Sequence, residues 1–156
     1  MPIWVRNEQS RSLQTELLTE MAHRLLDEAE LSDAQVDLLL TDDSTVQDLN
    51  LRYRGLDKPT DVLSFAQRDH VSGAPQLPQA PDQPIVLGDV VISVETAERQ
   101  SVQHGVSLDQ ELALLTVHGI LHLIGFEDDS EAGAQEMHAR ERELLGFTFP
   151  SAALPI

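Results

Sequence analysis

The chain has 156 residues and sets 27 acidic side chains against 10 basic ones, a formal charge of −17. So acidic a surface repels polyanions over most of its area and excludes a DNA-coating or membrane-surface protein, since such proteins need a field of Lys and Arg to displace counterions. The chain has no cysteine, which excludes disulfides, thiolate zinc sites, iron–sulfur clusters and cysteine nucleophiles, so any metal must be held by His, Asp or Glu. The length suits one domain spanning residues 1–156, and a hydrophobic share of 41% suffices for a packed core. The N-terminus carries no basic region followed by an apolar stretch, and apolar runs such as Leu112 to Val117 are too short to span a bilayer. The expectation is a soluble, cytoplasmic protein with no membrane or DNA partner.

Residues 3–7 read as a first strand. From Ser12 the set Leu13, Leu17, Met21 and Leu25 recurs every three to four residues, which predicts an amphipathic helix to about Glu30. Val36 to Thr41 reads as a buried strand. Ser44-x-x-Gln47 is a capping-box pattern opening a helix that carries Asn50, Tyr53 and Arg54 and stops at Gly55. Asp57-Lys58-Pro59-Thr60 is turn chemistry, and Asp61 to Phe65 alternates like a strand. Residues 66–84 hold four prolines and read as an exposed loop. Ile85 to Ser93 is the strongest strand signal, with Gly88 marking a bulge or a close backbone approach. Three helices follow: about 94–104 ending before Gly105, 107–124 opened by Ser107-x-x-Gln110 and closed by Gly125, and about 130–145 closed by Gly146. This order predicts a single α+β domain with a small mixed sheet of about four strands packed with helices.

The stretch Glu111 to Asp129 carries the chemistry. His118 and His122 are four apart, so on a helix their imidazoles share a face and can converge on one ion. Gly125 ends the helix and turns the chain back, so that an acid near position 128 supplies a third ligand: Asp128, or its neighbours Asp129 or Glu127. Three protein ligands leave a fourth position for water, the catalytic type of zinc site. For a single histidine the structural alternative is a satisfied core residue. Two on one apolar helix, followed by a glycine and three acids, favour a metal instead. His23, His70, His104 and His138 lack ligand spacing and read as solvated or helix-end residues.

A second cluster is basic. Arg52, Arg54 and Lys58, the only lysine, lie in residues 50–65, which carry +1, while residues 1–50 carry −8 and 101–156 carry −7. A guanidinium here suits a phosphate that gathers charge in a transition state; the structural alternative is that Arg54 pairs with Asp57 or Asp61 to pin a turn. Tyr53, Phe65 and Phe126 are the nearest aromatics. The pattern favours the core for each, with base stacking as the alternative.

Taken together, Asn50-Leu51-Arg52-Tyr53-Arg54, Asp57 to Phe65, Leu87 to Ser93 and His118-Gly119-Ile120-Leu121-His122-Leu123-Ile124-Gly125-Phe126 resemble the YbeY family of bacterial endoribonucleases and ribosomal RNA maturation factors. The family pattern runs His-Gly-x-Leu-His-Leu-x-Gly-Tyr-Asp-His, with three histidines on zinc. This chain has Phe126, Glu127 and, at the third ligand position, Asp128. The resemblance implies a zincin-like fold and one Zn2+ per chain on His118, His122 and Asp128, with the extra carboxylate admitting harder ions such as manganese. It implies a role for Arg54 in activity. The function implied is single-strand-specific, metal-dependent endoribonuclease activity in ribosomal RNA processing, 16S 3′-end maturation and ribosome quality control. The partners would be single-stranded RNA and the small ribosomal subunit or its proteins, with Arg52 and Lys58 as RNA contacts. Two other readings share these features. The spacing His-x3-His-x2-Gly-x2-Asp is also that of metzincin peptidases, but these place a general-base Glu after the first His, where this chain has Gly119. They also need a Met-containing turn, whereas Met137 lies in a helical sequence. A noncatalytic ribosome-assembly factor with a structural metal would equally suit the acidic surface.

Overall fold

The computed structural model describes residues 3–67 and 85–148, as β1 (Ile3–Asn7), α1 (Thr15–Glu28), β2 (Gln35–Thr41), α2 (Asp43–Arg54), β3 (Val62–Ala66), β4 (Val86–Ser93), α3 (Val94–His104), α4 (Leu108–Leu123) and α5 (Glu131–Thr148). The sheet runs β1-β2-β4-β3, with β1, β2 and β4 parallel and β3 antiparallel to β4. This is the expected α+β arrangement with a mixed four-stranded sheet. Most of the predicted 66–84 loop and His70 lie outside the described residues.

Strand alternation sends two sets of side chains to opposite faces. Val36, Leu38, Leu40, Val90 and Ile92 join Leu18, Met21 and Leu25 of α1 and the apolar body of α4 in the main core. On the other face Val46 of α2 meets Leu63 and Val91 in a smaller cluster. Each fully buried Val or Leu is worth about 1.5–3 kcal/mol, so the larger cluster fixes where α4 sits. Met137, Leu144 and Leu145 dock α5 onto the same core.

Gly88 is both things its sequence suggested. The β2–β4 register slips between Gln35 and Val36, and a Cβ on Gly88 would stand 2.1 Å from the Phe65 carbonyl oxygen at a φ of +142°.

Two helix ends differ from expectation. The cap of α2 is Asp42, whose side chain accepts from Thr45 N at 2.8 Å, rather than Ser44. With the helix already capped, Gln47 donates to Asp57 at 2.9 Å and helps fold the following turn. Gly146 does not stop α5, which continues to Thr148 because buried Leu144 and Leu145 hold its last turns against the core. The caps of α3 and α4 follow the sequence: Gly105 takes the left-handed conformation, and Ser107 with Gln110 forms a full capping box.

Candidate metal centre

Between Gln110 and Leu123 of α4 every residue is buried except His118 and His122, which are half-buried. The helix thus opens to solvent only along the seam that carries the two imidazoles. Gly119, between them, lets α4 lie close on the sheet. Its ideal Cβ would fall 2.6 Å from Val90 Cγ1, and its carbonyl accepts from Ser64 Oγ at 3.0 Å.

Each imidazole is oriented through its Nδ1. His118 Nδ1 bonds a carboxylate oxygen of Glu141 at 2.7 Å, and His122 Nδ1 bonds the Phe126 carbonyl at 3.0 Å. Both partners accept, so Nδ1 carries a hydrogen in each ring, and in the neutral form the Nε2 lone pair is turned towards the other imidazole. Those two Nε2 atoms lie 3.1 Å apart. Asp128 Oδ2 completes a triangle at 3.8 Å from each. Two imidazole nitrogens and a carboxylate aimed at one point form a group that could hold a cation. Donor separations of about 3.3 Å follow from tetrahedral bonds of about 2.0–2.1 Å, so this donor set fits a zinc-sized ion with modest adjustment. Burial, the largest single influence on His118, lowers its pKa, but Glu141, Asp128 and Asp61 together outweigh it and hold the pKa above the usual imidazole value. The site concentrates negative potential where a cation would sit.

Of the three consecutive acids it is Asp128 that reaches the imidazoles; Glu127 and Asp129 line a different groove with Glu136. Beside His118 a cleft of about 210 Å³ runs between α3 and α5, lined by Asp61, Gln100, His104, Glu111 and Glu141 among others. His104, in the last turn of α3, bonds buried Glu111 at 2.9 Å, while His23 is half-buried and His138 is exposed.

The family model for endoribonuclease YbeY matches residues 4–148. The chain belongs to this family. Endoribonuclease YbeY of Moorella thermoacetica is 42% identical over 154 residues, covering 90% of this chain and 93% of the relative. The YbeY protein of Pelotomaculum thermopropionicum is 40% identical over 151 residues, covering 94% and 96%. A solution structure from Thermotoga maritima superposes with a TM-score of 0.61 at 22% identity, over 95% of this chain and 89% of that one, a likeness of fold alone.

The basic cluster Arg52, Arg54 and Lys58 lies on α2 and the turn after it, outside the triangle. Arg52 pairs with Asp48 at 3.3 Å on the helix surface. Arg54 and Lys58 are exposed and, among the described residues, form no ion pair. The turn-pinning alternative for Arg54 therefore does not hold: Asp57 accepts from Gln47, and Asp61 accepts from Val62 N at 2.8 Å and Gln100 at 3.3 Å. The turn is pinned instead by Asn50, which donates to the Lys58 carbonyl at 2.9 Å. From that turn the chain runs into Asp61, which lines the cleft beside His118. Tyr53 departs from expectation: it is 66% exposed rather than core, because α2 turns its polar side outward at that position. Phe65 and Phe126 are partly buried.

Sequence reasoning missed Glu141 and the Phe126 carbonyl. Glu141 had a signal, because it stands in the apolar stripe Met137, Leu144, Leu145 of α5, where an acid is out of place without a partner. A main-chain carbonyl has no side-chain signature.

Proposed function

We infer that this chain is a metal-dependent endoribonuclease of single-stranded RNA that acts in ribosomal RNA maturation, at the 3′ end of 16S RNA, and in ribosome quality control. Membership of the endoribonuclease YbeY family supports the reaction. The observation that carries the site is the convergence of two Nε2 lone pairs and the Asp128 carboxylate. His118, His122 and Asp128 would hold one Zn2+, or a harder divalent ion favoured by the carboxylate. A bound ion of this kind supplies Lewis acidity towards a phosphoryl oxygen and makes water more acidic.

The protein's own groups do the rest. Glu141 and the Phe126 carbonyl keep both imidazoles aimed and in one tautomer. Arg54, free of internal pairs, is the group for the charge that builds on the phosphoryl oxygens, with Arg52 and Lys58 meeting the backbone on either side. A charge of −17 keeps free RNA weakly bound, so productive RNA arrives through the small ribosomal subunit or its proteins, in the cytoplasm. Peptidase chemistry is disfavoured by Gly119, which stands where a general-base Glu would be and packs against Val90 and Ser64. Met137 is likewise buried inside α5 instead of forming a turn below the ligands.

Cleavage of single-stranded and duplex RNA by protein from a nuclease-deficient host tests the reading, with His118→Ala and Arg54→Ala beside it. The expected result is preference for single strands, loss of metal and activity in His118→Ala, and a fall in kcat of about a hundredfold with metal content unchanged in Arg54→Ala. Equal cleavage by all three proteins refutes it.

A further inference from the structure

On the sheet face that α2 covers, one line of register partners crosses all four strands: Trp4 on β1, Asp37 on β2, Asp89 on β4 and Phe65 on β3. Two carboxyls therefore stand side by side between two aromatic rings, on strands about 4.8 Å apart. Tyr53 of α2 adds a third ring, edge-on to Phe65 with centroids 5.3 Å apart and planes at 62°. These side chains border an open groove of about 660 Å³ with an apolar floor that includes Leu39, and Gln67 also lines it. It lies across the sheet from α4 and its histidines.

Phe65 packs on the smaller core cluster, but the outer rings and the paired acids add little to the fold. Trp4 is 55% and Tyr53 66% exposed, so most of their apolar area gains nothing from burial. Adjacent carboxyls on one sheet face repel; burial first, then the charge of Asp37, pushes the Asp89 carboxyl above its usual range. A flat ligand bearing hydrogen-bond donors on one edge would satisfy both halves: the rings stack its faces and the carboxylates accept its donors. Among nucleobases, guanine sets N1–H beside its N2 amine, in register with the two oxygens of a carboxylate, whereas uracil offers one N–H flanked by carbonyls that the acids repel. Arg52 stands next to Tyr53 in the sequence, and Lys58 follows in the turn after α2. They suit the phosphates on either side of a bound base and oppose a cationic peptide, the other occupant that a carboxyl pair could attract.

We propose that this groove is a nucleobase subsite with preference for guanine, in which Tyr53 and Trp4 stack the base and Asp37 and Asp89 accept its N–H donors. The subsite rests on the RNA-cleaving function inferred above and adds to it a rule for which single strands are engaged.

Trp4 is the chain's single tryptophan, so its fluorescence reports occupancy directly. Full-length protein is titrated at low salt with the RNA pentamers UUGUU, UUAUU, UUCUU and UUUUU and with an arginine-rich pentapeptide, and cleavage of the same RNAs is followed separately. UUGUU should quench Trp4 and bind about tenfold tighter than UUUUU. The double change Asp37→Asn with Asp89→Asn should abolish that ratio. Tyr53→Leu should raise KM for guanine-containing RNA about tenfold with kcat little changed, while Tyr53→Phe restores it. Thermal melts of each variant separate these effects from misfolding. Equal affinity for the four pentamers overturns the subsite, as does tighter binding of the pentapeptide than of any RNA. RNA cleavage without base preference sinks the subsite and leaves the nuclease function standing. Guanine-dependent quenching without cleavage does the reverse.

Discussion

Replacing Glu141 by Gln isolates the charge behind His118. Glu141 is 1% exposed and lies 2.7 Å from Nδ1. The amide has nearly the same shape, so its oxygen still accepts from Nδ1 and the ring keeps its orientation, but the negative charge that makes the imidazole a stronger donor is gone. Partners of this kind are typically worth 10- to 100-fold in metal affinity, or about 1.4–2.8 kcal/mol. Because Gln retains the hydrogen bond, the lower figure, about tenfold, is expected at neutral pH. A neutral amide costs less to bury than a carboxylate, so the metal-free protein should melt no lower than the parent. Glu141→Ala also loses the orientation and leaves a void beside Leu144 and Leu145. It should approach the hundredfold figure and melt lower. Competition with a chromophoric zinc chelator gives the affinities, and circular dichroism gives the melts. If Glu141→Gln holds zinc as tightly as the parent while Asp128→Ala does not, the carboxylate behind His118 contributes nothing and the account of the site is wrong.

Three further outcomes follow from the packing and the titrating groups. Gly119→Ala puts a Cβ against Val90, a stiff β-branched neighbour with no exposed surface. The overpacking cost of about 1–3 kcal/mol should outweigh the gain of about 1 kcal/mol in helix propensity, and a neutral or raised stability in urea would contradict this. The Asp89 carboxyl has its pKa raised, so what it contributes to stability is full below the unfolded value and is lost as pH rises through the folded one. Asp89→Asn should therefore gain on the parent steadily from acid to neutral pH in thermal melts, and a constant difference would count against it. Asp43 behaves oppositely. Burial pushes its pKa up, but Ser93, Thr96 and Arg99 together draw it below the ordinary range, so its contribution is present above the unfolded value and fades as pH falls through the folded one. Asp43→Asn should cost about 2 kcal/mol at neutral pH and little in acid, as measured by urea unfolding at both.

Much of the fold was legible because its punctuation is local. Gly105, Gly125 and the Ser107–Gln110 box each set a helix end through conformations and hydrogen bonds that lie within a few residues of chain. The departures arose where a distant contact decided. Gly146 passed into helix because α5 is held by leucines packed on the core. Ser44 lost its role to Asp42 once the exact end of β2 was set. The imidazole pair could be read from spacing, since i and i+4 share a face whatever surrounds the helix. Glu141 could not be assigned to His118, because 23 residues separate them. The aromatic and acidic row across the sheet was equally hidden: its four members come from four strands, and only their register aligns them.

The two imidazoles are clamped over very different lengths of chain. His122 is held by a carbonyl four residues on, inside the turn that closes α4, so its clamp exists as soon as that turn does and uses no side-chain atom of position 126. The Tyr-to-Phe difference at Phe126 is therefore neutral for this ligand. His118 waits for α5 to come home. Ion binding at His118 and the docking of α5 are thereby linked, so a bound ion would add to the hold that Met137, Leu144 and Leu145 already give the C-terminal helix.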